Sequence, residues 1–151
     1  MRPIRAIVIH CSASPNGRPV TLEDIDSWHK QRGWKGVGYH YVIEADGTIR
    51  EGRPINEIGA HVAGSNAKTI GICMVGTDKF SRGQWESLSL IHDQLGAQFP
   101  EAQWLGHRDF SPDKDGDGYI EEWEWVKTCP GFDVREWENN NMIPRSENML
   151  E

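Results

Sequence analysis

Two kinds of metal chemistry crowd into one stretch, Gly106–Pro130, which reads GHRDFSPDKDGDGYIEEWEWVKTCP. His107 stands at its start and Cys129 near its end, with Lys127 two positions before the cysteine. An imidazole and a thiolate are the soft N/S donors that zinc takes. Between them, Asp113–Glu124 (DKDGDGYIEEWE) matches the twelve-residue calcium-loop pattern. Asp113, Asp115 and Asp117 fall at loop positions 1, 3 and 5, with Gly118 at 6. Tyr119 at 7 would offer its carbonyl, Glu121 occupies 9, and Glu124 is the bidentate carboxylate at 12. The stretch therefore predicts a zinc site and an inserted EF-hand-type calcium loop side by side.

A catalytic zinc needs three protein ligands and an open position for water. His10, at the C-terminal end of the apolar run RAIVIH, is a third candidate. Six histidines are present, so spacing alone does not select this set, and a strand-end histidine is commonly structural. Taken singly, Tyr39 reads as a half-buried hairpin residue and Lys127 as a solvated charge.

The positioning elements come next. Residues 5–10 read as a buried strand, with His10 on the face of Ala6 and Val8. Thr21 caps a first helix with Asp24 at its third position; Leu22, Ile25 and Trp28 form its stripe, and Gly33 stops it. Gly38–Glu44 and Thr48–Gly52 read as a hairpin around Ala45-Asp46-Gly47. Strict alternation puts Tyr39, Tyr41 and Ile43 on one face and His40, Val42 and Glu44 on the other. Residues 53–68 form a long loop of the kind that is often functional. Ile70–Val75 is a third strand. Ser81 and Gln84 make a capping box for a second helix with core positions Trp85, Leu88, Ile91, Leu95 and Phe99. Trp104-Leu105 is a short strand, and a helix is expected over Glu122–Lys127. Asp133 caps a last helix carrying Val134 and Trp137, and residues 139–151 read as a polar, frayed tail. Strands alternating with helices imply an α/β fold, a central mixed β-sheet flanked by helices.

Composition narrows the class. The chain has 151 residues, 37% of them apolar, and predicts one soluble domain over residues 1–138. No run reaches about 18 apolar residues, so no membrane insertion is expected. The apolar run Ala6–Ile9 is too short for a signal-peptide core, so no signal peptide is expected and the chain is read as made in the cytoplasm. Net charge is −7, and Asp113–Glu124 alone holds six acids and one base; the remainder carries 17 acids against 15 bases. So dense an acidic loop asks for a cation, while the absence of a basic patch argues against nucleic acid. Three cysteines make no disulfide framework. Cys11 and Cys73 read as buried thiols, and Cys129 lies outside any apolar run.

From Ile7 to about Trp137 the chain resembles the N-acetylmuramoyl-L-alanine amidase type 2 family, which includes small phage lysozymes of amidase type and the peptidoglycan recognition proteins. The matching pieces are IVIHCSAS, SWHKQRGW, GVGYHYVIEADGTIREGR, GAHVAGSN, TIGICMVG, LGHRD and KTCPGFD, in that order. The resemblance implies that His10, His107 and Cys129 hold zinc and that Tyr39 and Lys127 are catalytic. It implies substrate contact for His61, Gly64 and Asn66 in the glycine-containing loop. His29, His40 and His92 are read as structural. The separation of 22 positions between His107 and Cys129 exceeds the family's usual short loop, and the calcium loop fills it.

These readings predict a zinc-dependent amidase that cuts the bond between N-acetylmuramic acid and L-alanine in peptidoglycan. They fit a monomeric, endolysin-like enzyme of a phage or prophage, reaching the cell wall after release or holin-type export. Two other classes stay open at this point. A binding module would hold peptidoglycan without turnover, and a calcium-regulated interaction protein would need no zinc.

Overall fold

The computed structural model describes residues 2–150; Met1 of the expected domain and Glu151 of the expected tail lie outside the described residues. Five strands form one sheet: β1 (Ala6–Cys11), β2 (Tyr41–Ile43), β3 (Ile49–Glu51), β4 (Thr69–Met74) and β5 (Gln103–Gly106). Their order is β3-β2-β4-β1-β5. β1 runs parallel to both β4 and β5, and only the β2–β3 hairpin is antiparallel. β1 is buried along its whole length, as is β4, which accounts for their nearly unbroken apolar sequences.

The two faces of this sheet differ in purpose. Ile7 and Ile9 of β1 and Ile70, Ile72 and Met74 of β4 point to one face. There they meet Trp85, Leu88, Ile91 and Leu95 of α2 (Arg82–Gln98) and Val134 and Trp137 of α3 (Val134–Asn139). At about 1.5–3 kcal/mol for each large apolar side chain buried, this face supplies most of the hydrophobic stabilisation. The other face holds Ala6 and Val8, then Val42 and Cys73, under α1 (Leu22–Gln31) and the long loop. The buried histidines His10, His29, His40 and His61 lie on that second face.

Helix starts follow the sequence closely. Thr21 with Asp24 and Ser81 with Gln84 both form complete capping boxes, and Asp133 accepts the Glu136 N–H. Gly33 takes a left-handed φ of 87° just past α1, as a stop signal should.

Four expectations need correction. Trp28 is 40% exposed and His29 takes the buried position instead, because the inward stripe of α1 runs Ile25 to His29. Tyr39 does not share a face with Tyr41 and Ile43; it packs with Val42. Strict alternation fails there because β2 begins only at Tyr41, after a bend at His40. The helix expected over Glu122–Lys127 is a single 3-10 turn, Glu122–Glu124, and Val126 N–H already donates to the Ser111 hydroxyl. The tail is docked, not frayed. Phe80 N–H donates to Asn148 O, Leu150 N–H donates to Phe80 O, and the Asn148 amide donates to Asp78 O and Gly131 O. Backbone partners along Phe80 hold a segment that its polar composition would leave loose.

Candidate active site

Parallel pairing sets the site. β1 and β5 lie side by side in register, Ile9 beside Gly106, so the residues that follow at their C-terminal ends come together. Those residues are His10 and His107. Their Nδ1 atoms lie 3.1 Å apart, close to the roughly 3.3 Å edge between two nitrogens on a tetrahedral zinc. The chain returns from the acidic insertion alongside this pair. Arg108 N–H donates to Cys129 O, and Cys11 N–H donates to Cys129 Sγ at 3.0 Å. Pro130 packs onto Gly106, where a Cβ would lie 2.8 Å from the proline ring. One ligand atom from each of His10, His107 and Cys129 lies within 4.8 Å of the other two. Two imidazoles and a thiol converging on one point are a donor set that fits zinc.

Electrostatics favour that use. Burial pushes the His10 imidazole well below its ordinary range, and the neighbouring His61, His107 and Lys127 charges push the same way. His107 is lowered to about 4, by burial first and then by Lys127. Both rings are therefore neutral near pH 7, the form that binds a metal. The Cys129 thiol is pushed up, first by its hydrogen bond with the Cys11 thiol and then by burial. A divalent cation on the same sulfur would deprotonate it outright.

Tyr39 stands over the pair, its ring centroid 5.1 Å from that of His10. Burial raises its hydroxyl well above the ordinary tyrosine value, and the surrounding cysteines raise it further. Lys127 is exposed and lines a cleft of about 590 Å³ together with His107, Arg32 and Trp34. The sequence reading passed over Arg32 and Trp34. The signal was the exposed tryptophan of QRGW, just past the end of α1.

The glycine-containing loop is placed differently for each of its three residues. Asn66 Oδ1 accepts the N–H groups of His61 and Val62 and so folds the loop on itself. Gly64 has φ +84°, with open space where a Cβ would lie. His61 and Asn66 line the cleft, but the His61 ring points inward, with Nδ1 2.9 Å from His10 Nε2. His29 accepts the Gly38 N–H, and His40 accepts the Gly71 N–H. His92 bonds Glu138 against Trp104. All three are structural.

At the acidic insertion, oxygens of Asp113, Asp115, Asp117 and Glu124 lie within 4.8 Å of one another. Glu124 is fully buried and accepts the Lys114 and Glu121 N–H groups, while Asp113 accepts the Gly118 N–H. Tyr119 is 74% exposed, and its N–H donates to Asp117. The Arg108 guanidinium stacks 3.9 Å from the Trp125 ring at the base of the insertion.

Comparison with known proteins agrees with this geometry. The N-acetylmuramoyl-L-alanine amidase family matches residues 1–132. The endolysin of Escherichia phage T7 is 34% identical over 150 residues, covering 94% of this chain and 90% of the relative. The endolysin of Klebsiella phage KP32 is 32% identical over 149 residues, covering 93% and 89%. Among solved structures, the N-acetylmuramoyl-L-alanine amidase LysC from Clostridium intestinale superposes with a TM-score of 0.72 at 30% identity, covering 94% of this chain and 88% of that one. On sequence and architecture together, the chain belongs to the N-acetylmuramoyl-L-alanine amidase family and is an amide hydrolase of that kind.

Proposed function

We propose that this chain is a zinc-dependent endolysin that hydrolyses the amide between the lactyl group of N-acetylmuramic acid and the L-alanine of the peptidoglycan stem. The convergence of His10, His107 and Cys129, with His107 lining the cleft, carries this reading. Those three residues would hold the metal. When bound, zinc supplies a Lewis acid and lowers the pKa of a water to about 7. Lys127 brings a positive charge to the cleft wall, where it stabilises the oxyanion that develops as the scissile carbonyl becomes tetrahedral. Tyr39 keeps its proton at neutral pH, so it acts as a hydrogen-bond donor that orients the reacting groups rather than as a phenolate base. His61, Gly64 and Asn66 shape the loop along which the substrate would lie.

The acidic insertion we read as a structural calcium site within a single amidase domain. Asp113, Asp115, Asp117, Glu124 and the Tyr119 carbonyl would be its ligands. The loop pattern and the gathered carboxylates support this reading. Its role would be to stiffen the return segment that carries Lys127 and Cys129. No helix among the described residues is long and apolar enough to cross a membrane. A monomeric enzyme released to the wall by a holin-type route completes the proposal.

Mass spectrometry of peptidoglycan digested with the zinc-loaded protein, the zinc-stripped protein and Cys129→Ala tests the reaction. Stem peptides with a new L-alanine amino terminus should appear only with the zinc-loaded, unsubstituted protein. Intact glycan with retained binding would instead make the chain a recognition module.

A further inference from the structure

The inward-turned His61 ring belongs to a chain of hydrogen bonds whose direction can be worked out. The Thr69 hydroxyl has one proton, and it donates to Ser65 O at 2.8 Å. Thr69 Oγ1 is then an acceptor where it faces His61 Nε2 at 3.3 Å. A neutral imidazole carries one N–H, so His61 bears it on Nε2 and presents a bare Nδ1. That Nδ1 lies 2.9 Å from His10 Nε2, which must be the donor. His10 in turn keeps a bare Nδ1, the atom aimed at His107.

We infer that His61 and Thr69 are positioning residues for the metal ligand His10, fixing its ring angle and the tautomer that frees Nδ1. The inference rests on the zinc reading. The surroundings are shaped for it. His61 lies on Gly71 of β4, where any Cβ would come within 2.6 Å of the ring, so only glycine leaves room. A Cβ at Gly59 would likewise come within 2.8 Å of His61 Cδ2. The ring stands edge-on to His10 at 86°, and its backbone N–H is held by Asn66. Metal-bound histidines usually hand their second N–H to a carboxylate or a carbonyl, and losing that partner weakens metal affinity by about 10–100-fold. Here the partner is another imidazole, itself oriented by a threonine.

The test is zinc affinity of the metal-free protein, by competition with a chromogenic chelator, together with the visible spectrum of the cobalt(II) form. His61→Leu removes the acceptor and should weaken zinc about 10–100-fold and change the cobalt spectrum. His61→Asn can offer an amide oxygen near the position of Nδ1 and should stay within about threefold of the parent. Thr69→Val deletes the far acceptor, together with its donation to Ser65 O, and should fall between them. Melting of each metal-free variant shows whether it is folded; if His61→Leu is not, Thr69→Val and His61→Asn decide. Parent-like zinc affinity and cobalt spectra in His61→Leu, or in Thr69→Val where His61→Leu is unfolded, overturn the inference and leave the zinc reading intact. A parent protein that binds neither ion overturns both.

Discussion

At the residue scale, the proposed catalytic work divides between Lys127 and Tyr39. Lys127 is an exposed charge at the mouth of the cleft, and Tyr39 is a half-buried residue beside His10 whose hydroxyl keeps its proton. Removing a group that meets charge only in the transition state lowers kcat and leaves KM nearly unchanged. Lys127→Ala should therefore lower kcat by about 10²–10³, with KM within a few-fold, on a soluble muropeptide. Equal losses in binding and turnover would make Lys127 a substrate anchor instead. Tyr39→Phe should lower kcat by a factor that is constant between pH 7 and 9, because the hydroxyl does not ionise in that window. A deficit that grows with pH would mean a phenolate is the active form. Neither role was legible in these residues alone. A lysine in a loop and a tyrosine in a hairpin are ordinary, and only their order among neighbouring motifs singled them out. His61 was legible as part of the cleft loop, but its inward turn depends on the glycine at position 71, on a strand eight residues further along.

Elements were easier to read where their signals were local. The caps at Thr21, Ser81 and Asp133 bond within three residues, and each helix starts where its cap predicts. Tyr39 was put on the wrong face because a bend at His40, set by pairing with β4, interrupts the alternation. The insertion is the element that still lacks a test. Without a cation its clustered carboxylates repel, offset by backbone N–H groups and the Trp123 indole N–H. Calcium added to zinc-loaded, calcium-free protein at about 100 times its dissociation constant should stabilise by about 2.7 kcal/mol. For a chain of this size that corresponds to roughly 5–10 °C in Tm. Asp113→Asn combined with Glu124→Gln should abolish the gain. An unchanged Tm across millimolar calcium would reduce the insertion to a solvated loop.

At the scale of the whole molecule, one face of the sheet is apolar and the other carries five of the six histidines, His10, His29, His40, His61 and His107. That segregation exposes the fold to acid. His29 and His40 touch none of the proposed metal ligands, yet burial lowers each to about 4, with Arg53 adding to both, Arg32 to His29 and Arg2 to His40. Each uses Nδ1 to accept a backbone N–H, and a proton on that atom would break the bond. The unfolded chain binds these protons at the ordinary value of about 6.5, before the folded one does. Their contribution to stability is therefore complete above about pH 6.5 and drains as the pH falls toward 4. The slope is at most about 1.4 kcal/mol per pH unit for each group, and less for His29, which lies nearer solvent. The Tm of metal-free protein should accordingly drop between pH 7 and 5. The double variant His29→Asn, His40→Asn, which keeps an oxygen acceptor near each Nδ1, should drop less steeply over the same interval. Parallel curves for parent and variant would assign the acid sensitivity to the histidines around the metal point alone.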